Sequence, residues 1–273
     1  MIMKFQQLTA ALLFTSALLV SCSVNKAKMD NEIKVYFDEK KSEGCFTMLN
    51  NSDGEITVYN MELDTSRYAP GATFSMLNSL IALQTGAVTD ENMLVQWDST
   101  LRSPNACNAN MNIKEAFGFD CKFFDQAIAK KIGKKNYRYW IDSVAYGNKN
   151  INGPVDSFWF NHQLKVSPDE QLGLLKKLYF GQLPFRKSVQ ESVVNMMLKE
   201  DNSAYKLYYK TASVAAQNNL SIGWITGWVE ENRHVYFFVS LIKNNQSEAE
   251  ISNTALTVTK SILKHYGFFQ GKK

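Results

Sequence analysis

Hydrophobic and polar positions along the chain fall into three regimes. From Lys34 to Asn60 apolar residues come in short runs: Val35-Tyr36-Phe37, Cys45 to Leu49, and Ile56-Thr57-Val58-Tyr59. Asn50-Asn51-Ser52-Asp53-Gly54 forms a turn cluster between the last two. Short β-favouring runs bounded by turn residues predict adjacent antiparallel strands. The middle of the chain has helical spacing instead. Thr73 to Thr85 stops at Gly86, Cys121 to Ile132 at Gly133, and Tyr137 to Ala145 at Gly147, while Pro168 to Tyr179 follows a Ser167 cap. Strands return at Lys206 to Ser213, Leu220 to Glu230 and His234 to Ile242, and Asn253 to Tyr266 predicts a closing helix ended by Gly267. Strands from both chain ends, enclosing a helical lobe at about 66–199, predict an α+β unit: an antiparallel sheet flanked by helices. No repeat and no Pro/Gly-rich linker divides residues 34–273, which predicts one domain.

The N-terminus carries a separate signal. Lys4 precedes an apolar run from Leu8 to Val20 that is too short for a comfortable membrane span, and Leu19-Val20-Ser21-Cys22 closes it. Residues 1–21 therefore read as a secretory signal of lipoprotein type, with Cys22 as the lipid attachment point. Residues 22–33 are polar and aperiodic, as a tether would be. The expected location is the bacterial cell envelope, membrane-anchored and facing an extracytoplasmic compartment.

Composition narrows the chemistry further. Thirty Lys and Arg against 26 Asp and Glu, without a long single-sign run, do not imply nucleic acid. Three scattered histidines (162, 234 and 265) and no CxxC pair give no metal-ligand spacing, and no cofactor is implied. Cys107 and Cys121 flank a polar loop and can pair, whereas Cys45 reads as a buried strand thiol.

Pro70-Gly71-Ala72-Thr73-Phe74-Ser75-Met76-Leu77-Asn78-Ser79-Leu80-Ile81-Ala82-Leu83 resembles the nucleophile segment of class D β-lactamases and related penicillin sensors. Matches continue in order: Trp97-Asp98, Tyr146-Gly147-Asn148, Phe158-Trp159-Phe160, Leu164-Lys165-Val166-Ser167, Leu183-Pro184, Lys210-Thr211-Ala212 and Gly223 to Glu230. The resemblance implies a serine β-lactamase and transpeptidase-like fold. It also implies a serine at the start of a helix with a lysine three residues on, carbamylated and held by a Trp. A second serine and a Lys-Thr-Gly strand complete that pocket.

Read against that pattern, the pocket is degenerate. Ala72 stands at the nucleophile and Ser75 at the base, Asp120 replaces the second serine, Ala212 replaces the strand glycine, and no Arg follows Arg233 to hold an antibiotic carboxylate. Lys210, Thr211, Ser213, Trp159, Tyr146 and Asn148 remain as ligand-binding candidates, with backbone N–H groups at Ala72 and Ser213 as oxyanion donors. The expectation is a catalytically inactive, lipid-anchored homologue binding a peptidoglycan fragment or a β-lactam noncovalently, or a protein partner. Two alternatives stay open: a hydrolase with a relocated nucleophile, Ser75 or Thr73, and a purely structural envelope lipoprotein. One geometric expectation follows. Asp120 either faces the Lys210 ammonium as an ion pair or caps the helix that starts at Cys121.

Overall fold

The computed structural model describes residues 27–216 and 218–273. The signal segment 1–21 and Cys22 lie outside them. Seven strands form one sheet in the order β1-β3-β2-β7-β6-β5-β4. These are β1 (Ala27–Met29), β2 (Glu43–Asn50), β3 (Ile56–Tyr59), β4 (Leu198–Asp201), β5 (Tyr205–Ala215), β6 (Ser221–Glu231) and β7 (His234–Asn244). Every pairing is antiparallel except β1 with β3. The β2–β7 ladder, from Glu43↔Lys243 to Asn50↔Tyr236, joins the two chain ends in the centre of the sheet. The sheet built from both termini is therefore present as the pattern predicts.

Alternation along β6 gives the sheet two buried faces. Trp224 and Trp228 point into the helical lobe, while Ile225 and Val229 pack under the C-terminal helix α8 (Glu248–His265). On α8, Ile251, Ala255, Val258 and Ile262 recur at helical spacing and are all buried. The helix comes so close that a Cβ on Gly223 would lie 2.8 Å from the Ile251 carbonyl oxygen, so this crossing requires glycine. On the other face α3 (Ser75–Thr85) runs through the core with nine buried residues. Phe74 at its start stacks on Trp159, with ring centroids 5.1 Å apart, and meets Phe158 edge-on at 5.4 Å. Fully burying a side chain of this size contributes about 1.5–3 kcal/mol.

Several expectations are corrected. Val35-Tyr36-Phe37 is not a strand but part of the short helix α1 (Lys34–Asp38). Ile33 and Phe37, four apart, bury together, and Lys34 pairs with Asp38 on the outer side at 2.6 Å. The tether's latter part, Ala27–Met29, adds a parallel strand beside β3. The break at Gly133 is as expected, its φ of 76° interrupting the α-helical path within α5 (Lys122–Ser143), but the second stretch starts before Tyr137. The closing helix begins five residues before Asn253, at Glu248, because Ser247 and Glu250 form a capping box. Helices α2 (Met61–Thr65), α4 (Ile113–Phe119) and α7 (Lys187–Met197) carried no sequence expectation, whereas α6 (Pro168–Tyr179) begins with its Ser167 capping box as expected.

One buried acid bears on stability. Asp64 on α2 is 3% exposed, and its Oδ1 has no hydrogen-bond partner among the described residues. Burial, with the nearby Asp169 charge adding to it, pushes its carboxyl up from 3.8 to about 7. Between those values the folded chain holds a proton that the unfolded chain releases, so stability falls as pH rises through the interval. The expected loss from Asp64, followed by urea denaturation, approaches about 1.4 kcal/mol per pH unit between roughly pH 4 and 7. Asp64→Asn flattens this decline; an unchanged pH slope in the variant refutes the assignment.

Candidate active site

Ala72 lies in a 3₁₀ turn, Gly71–Phe74, that leads into α3. Gly71 has a φ of +53°, and a Cβ there would sit 2.4 Å from Val214 Cγ2, so glycine alone brings this turn against β5. The Gly71 N–H donates to the Trp159 carbonyl at 3.1 Å. Thr73 Oγ1 donates to the Pro70 carbonyl at 2.7 Å and accepts from Gln171 Nε2 at 2.8 Å. That hydroxyl is a buried strut and is not presented to the cleft.

Ser75 and Asn78, three apart on α3, share one helix face and turn toward Asp125 in the first turn of α5. The Ser75 hydroxyl donates to Asp125 Oδ2, Asn78 Nδ2 donates to Oδ1 at 2.9 Å, and the Tyr137 hydroxyl donates to Asn78 Oδ1 at 2.5 Å. Burial raises the Asp125 carboxyl above the ordinary value, opposed by the Ser75 and Asn78 hydrogen bonds and by the Lys210 charge. This network was not expected from the sequence. Its legible trace was the i,i+3 pair Ser75 and Asn78 in the buried part of α3, which burial obliges to find partners.

Above it stands a second polar group. Lys210 on β5 is 1% exposed, and its ammonium donates to Asp120 Oδ1 and, at 2.5 Å, to the Phe117 carbonyl. The same nitrogen lies 4.2 Å from the Phe117 ring centroid. Thr211 Oγ1 donates to Asp120 Oδ2 at 2.7 Å. Asp120 is thus an ion-pair partner and not the cap of the following helix: the N-cap of α5 is Cys121, and Asp120 ends α4 with a left-handed φ of 59°. Cys107 and Cys121 are disulfide-bonded, which ties the chain next to Asp120 back to residue 107. Cys45 is free and buried on β2.

A cleft of about 500 Å³ opens over these groups. Of the expected site residues, Ala72, Asp120, Ala212 and Ser213 line it, and Asp125 contributes to its wall. Lys210 and Thr211 reach it only through Asp120. The opposite wall is the start of α8, with Glu248, Ser252 and Asn253. Lys122, whose ammonium lies 4.3 Å from the Phe160 ring centroid, is the lysine lining it.

The other candidates lie elsewhere. Trp159 is wholly buried, its indole N–H unpartnered among the described residues, and Tyr146 is buried against Phe74. Asn148 holds loop to loop, donating to the Gln163 carbonyl at 2.8 Å and accepting from the Lys165 N–H at 3.0 Å. These three serve packing and loop geometry in this structure.

A penicillin binding protein transpeptidase domain model matches residues 39–265. "Probable beta-lactamase YbxI" of Bacillus subtilis is 31% identical over 245 residues, covering 90% of this chain and 86% of the relative. "Beta-lactamase OXA-48" of Klebsiella pneumoniae is 30% identical over 262 residues, covering 96% and 98%. Among solved structures, the C-terminal domain of the Bacillus licheniformis BlaR penicillin-receptor aligns with a TM-score of 0.85 at 26% identity, covering 92% of this chain and all of that one.

Removing Asp120 strands a buried ammonium. Asp120→Ala is expected to destabilise the fold by about 1–3 kcal/mol in urea denaturation, the usual cost of an unpaired buried polar group. Lys210→Met in the same background is expected to recover part of that loss, because two apolar groups replace a broken pair. Additive single and double effects refute the pair as an energetic unit.

Proposed function

The chain belongs to the class D β-lactamase and penicillin-binding transpeptidase family, and from that membership we propose that it is a lipid-anchored, catalytically inactive member that holds a ligand noncovalently. The observation that carries the reading is Ala72 at the cleft, where the family's nucleophile stands. A methyl group cannot form an acyl bond. Supporting it, the Lys210 ammonium is already taken up by Asp120 and the Phe117 carbonyl, and is not free to orient an attacking group. The cleft's volume of about 500 Å³ suits a peptide-sized ligand, a peptidoglycan fragment first and a β-lactam second. The BlaR relative is named a penicillin-receptor, which makes ligand sensing a natural use for a cleft without turnover.

One observation favours a different reading. Ser75 donates its hydroxyl to Asp125, so a carboxylate stands beside it that could take its proton. Against this, Ser75 is 2% exposed and does not line the cleft, which keeps a substrate carbonyl away from its oxygen.

The expected outcome with a fluorescent penicillin is no stable adduct and no hydrolysis above background, read by mass spectrometry and by the change in β-lactam absorbance. A mass increase of one penicillin overturns the proposal, and its loss in Ser75→Ala would assign the nucleophile. Ala72→Ser combined with Ser75→Lys is expected to give weak activity only, because catalytic groups act as a unit and Asp120 still occupies the second serine's place. Titration with muropeptides is expected to give saturable noncovalent binding; its absence favours a purely structural lipoprotein. Cys22→Ala is expected to release the protein from the membrane fraction, and unchanged fractionation refutes the lipid anchor.

A further inference from the structure

We propose that the pocket walled by Arg67, Tyr68, His162, Lys165 and Lys243 is an anion site, taking a ligand group with two or more negative charges, phosphate or carboxylate. It encloses about 360 Å³ and is separate from the cleft over Ala72. Four basic side chains from three separate segments line it, and no Asp or Glu does. The lining is therefore a local concentration of one sign.

The cations are held from behind. Arg67 gives Nε and Nη2 to Glu170, leaving Nη1 without a partner among the described residues. Lys243 pairs at 3.0 Å with Glu43, its register partner across the β2–β7 ladder, and lies 5.6 Å from the Tyr68 ring centroid. Those two carboxylates offset part of the charge, but they also fix the side chains in place, which lowers the ordering cost of binding. Lys165 forms no ion pair among the described residues, and Asn148 anchors its backbone. His162 sits in a left-handed conformation, φ 64°, at the same wall.

In the cleft Lys210 is neutralised by Asp120, and no Arg follows Arg233. The neighbouring pocket is built from the same three stretches of chain: Ala69 beside Ala72, His162 beside Phe160, and Ala216 beside Ser213. The assignment rests on this pocket's own lining and stands whether or not the cleft is occupied.

The test is calorimetric titration of the protein at low salt with inorganic pyrophosphate and, separately, with propane-1,2,3-tricarboxylate. Saturable binding with a Kd below about 1 mM is expected for at least one probe. Pyrophosphate alone assigns a phosphate ligand, and the tricarboxylate alone assigns a carboxylate one. Lys165→Glu is expected to weaken binding at least tenfold while leaving the melting temperature unchanged, since Lys165 has no ion pair to lose. Lys165→Gln with Lys243→Gln is expected to weaken binding by at least as much. Lys130→Gln, at a lysine paired 3.2 Å from Asp156 away from this pocket, is expected to bind as the parent does. No saturable binding of either probe, or binding unchanged in Lys165→Glu, overturns the proposal. Loss of muropeptide binding with pyrophosphate binding intact counts only against the cleft.

Discussion

An ammonium almost wholly removed from water must find negative charge close by, and the arrangement around Lys210 follows from that requirement. Asp120 supplies the charge, Thr211 takes its second oxygen, and the Phe117 carbonyl takes another ammonium proton. To present a carboxylate there the chain must end α4 and turn at residue 120, which it does in a left-handed conformation that Asp tolerates better than most residues. The Cys107–Cys121 bridge then holds the turn. By the chain-entropy account, a loop of this size contributes about 3 kcal/mol through the unfolded state. The pair therefore organises the cleft's upper wall. It also leaves the Lys210 ammonium committed to Asp120 and the Phe117 carbonyl.

Much of this was legible in the sequence because it depends on local pattern. The sheet from both chain ends followed from short β-branched and aromatic runs. The Asp120–Lys210 contact was one of two expectations, and it came from the resemblance, which puts Asp120 at the second serine's place opposite the strand lysine. Val35 to Phe37 misled because three large apolar residues read as a strand in isolation; the deciding facts were the spacing to Ile33 and the Lys34–Asp38 pair. The early start of α8 was legible in Ser247 and Glu250, a capping box three residues apart.

Asp125 shows where single-sequence reasoning stops. Nothing local marks it, for it sits in the first turn of a helix, where acids are common on electrostatic grounds alone. Its role depends on Ser75 and Asn78, some fifty residues earlier, pointing at it across the packing of α3 on α5. Likewise Trp159 and Tyr146 carry the family's motif but lie inside the aromatic cluster around Phe74. A motif preserves residue type, and only packing decides whether that side chain faces a ligand or the core.

The two polar groups beneath the cleft differ in a way that bears on its chemistry. Asp120 pairs with the buried Lys210 ammonium at the surface of the cleft, whereas Asp125 is a deeper carboxyl whose proton affinity is raised by burial. Both acids are committed, one to Lys210 and Thr211, the other to Ser75 and Asn78, and Ala72 brings no hydroxyl to the cleft. Satisfied polar networks of this kind rigidify a site. That pairing gives the cleft a fixed arrangement of polar side chains around Ala72.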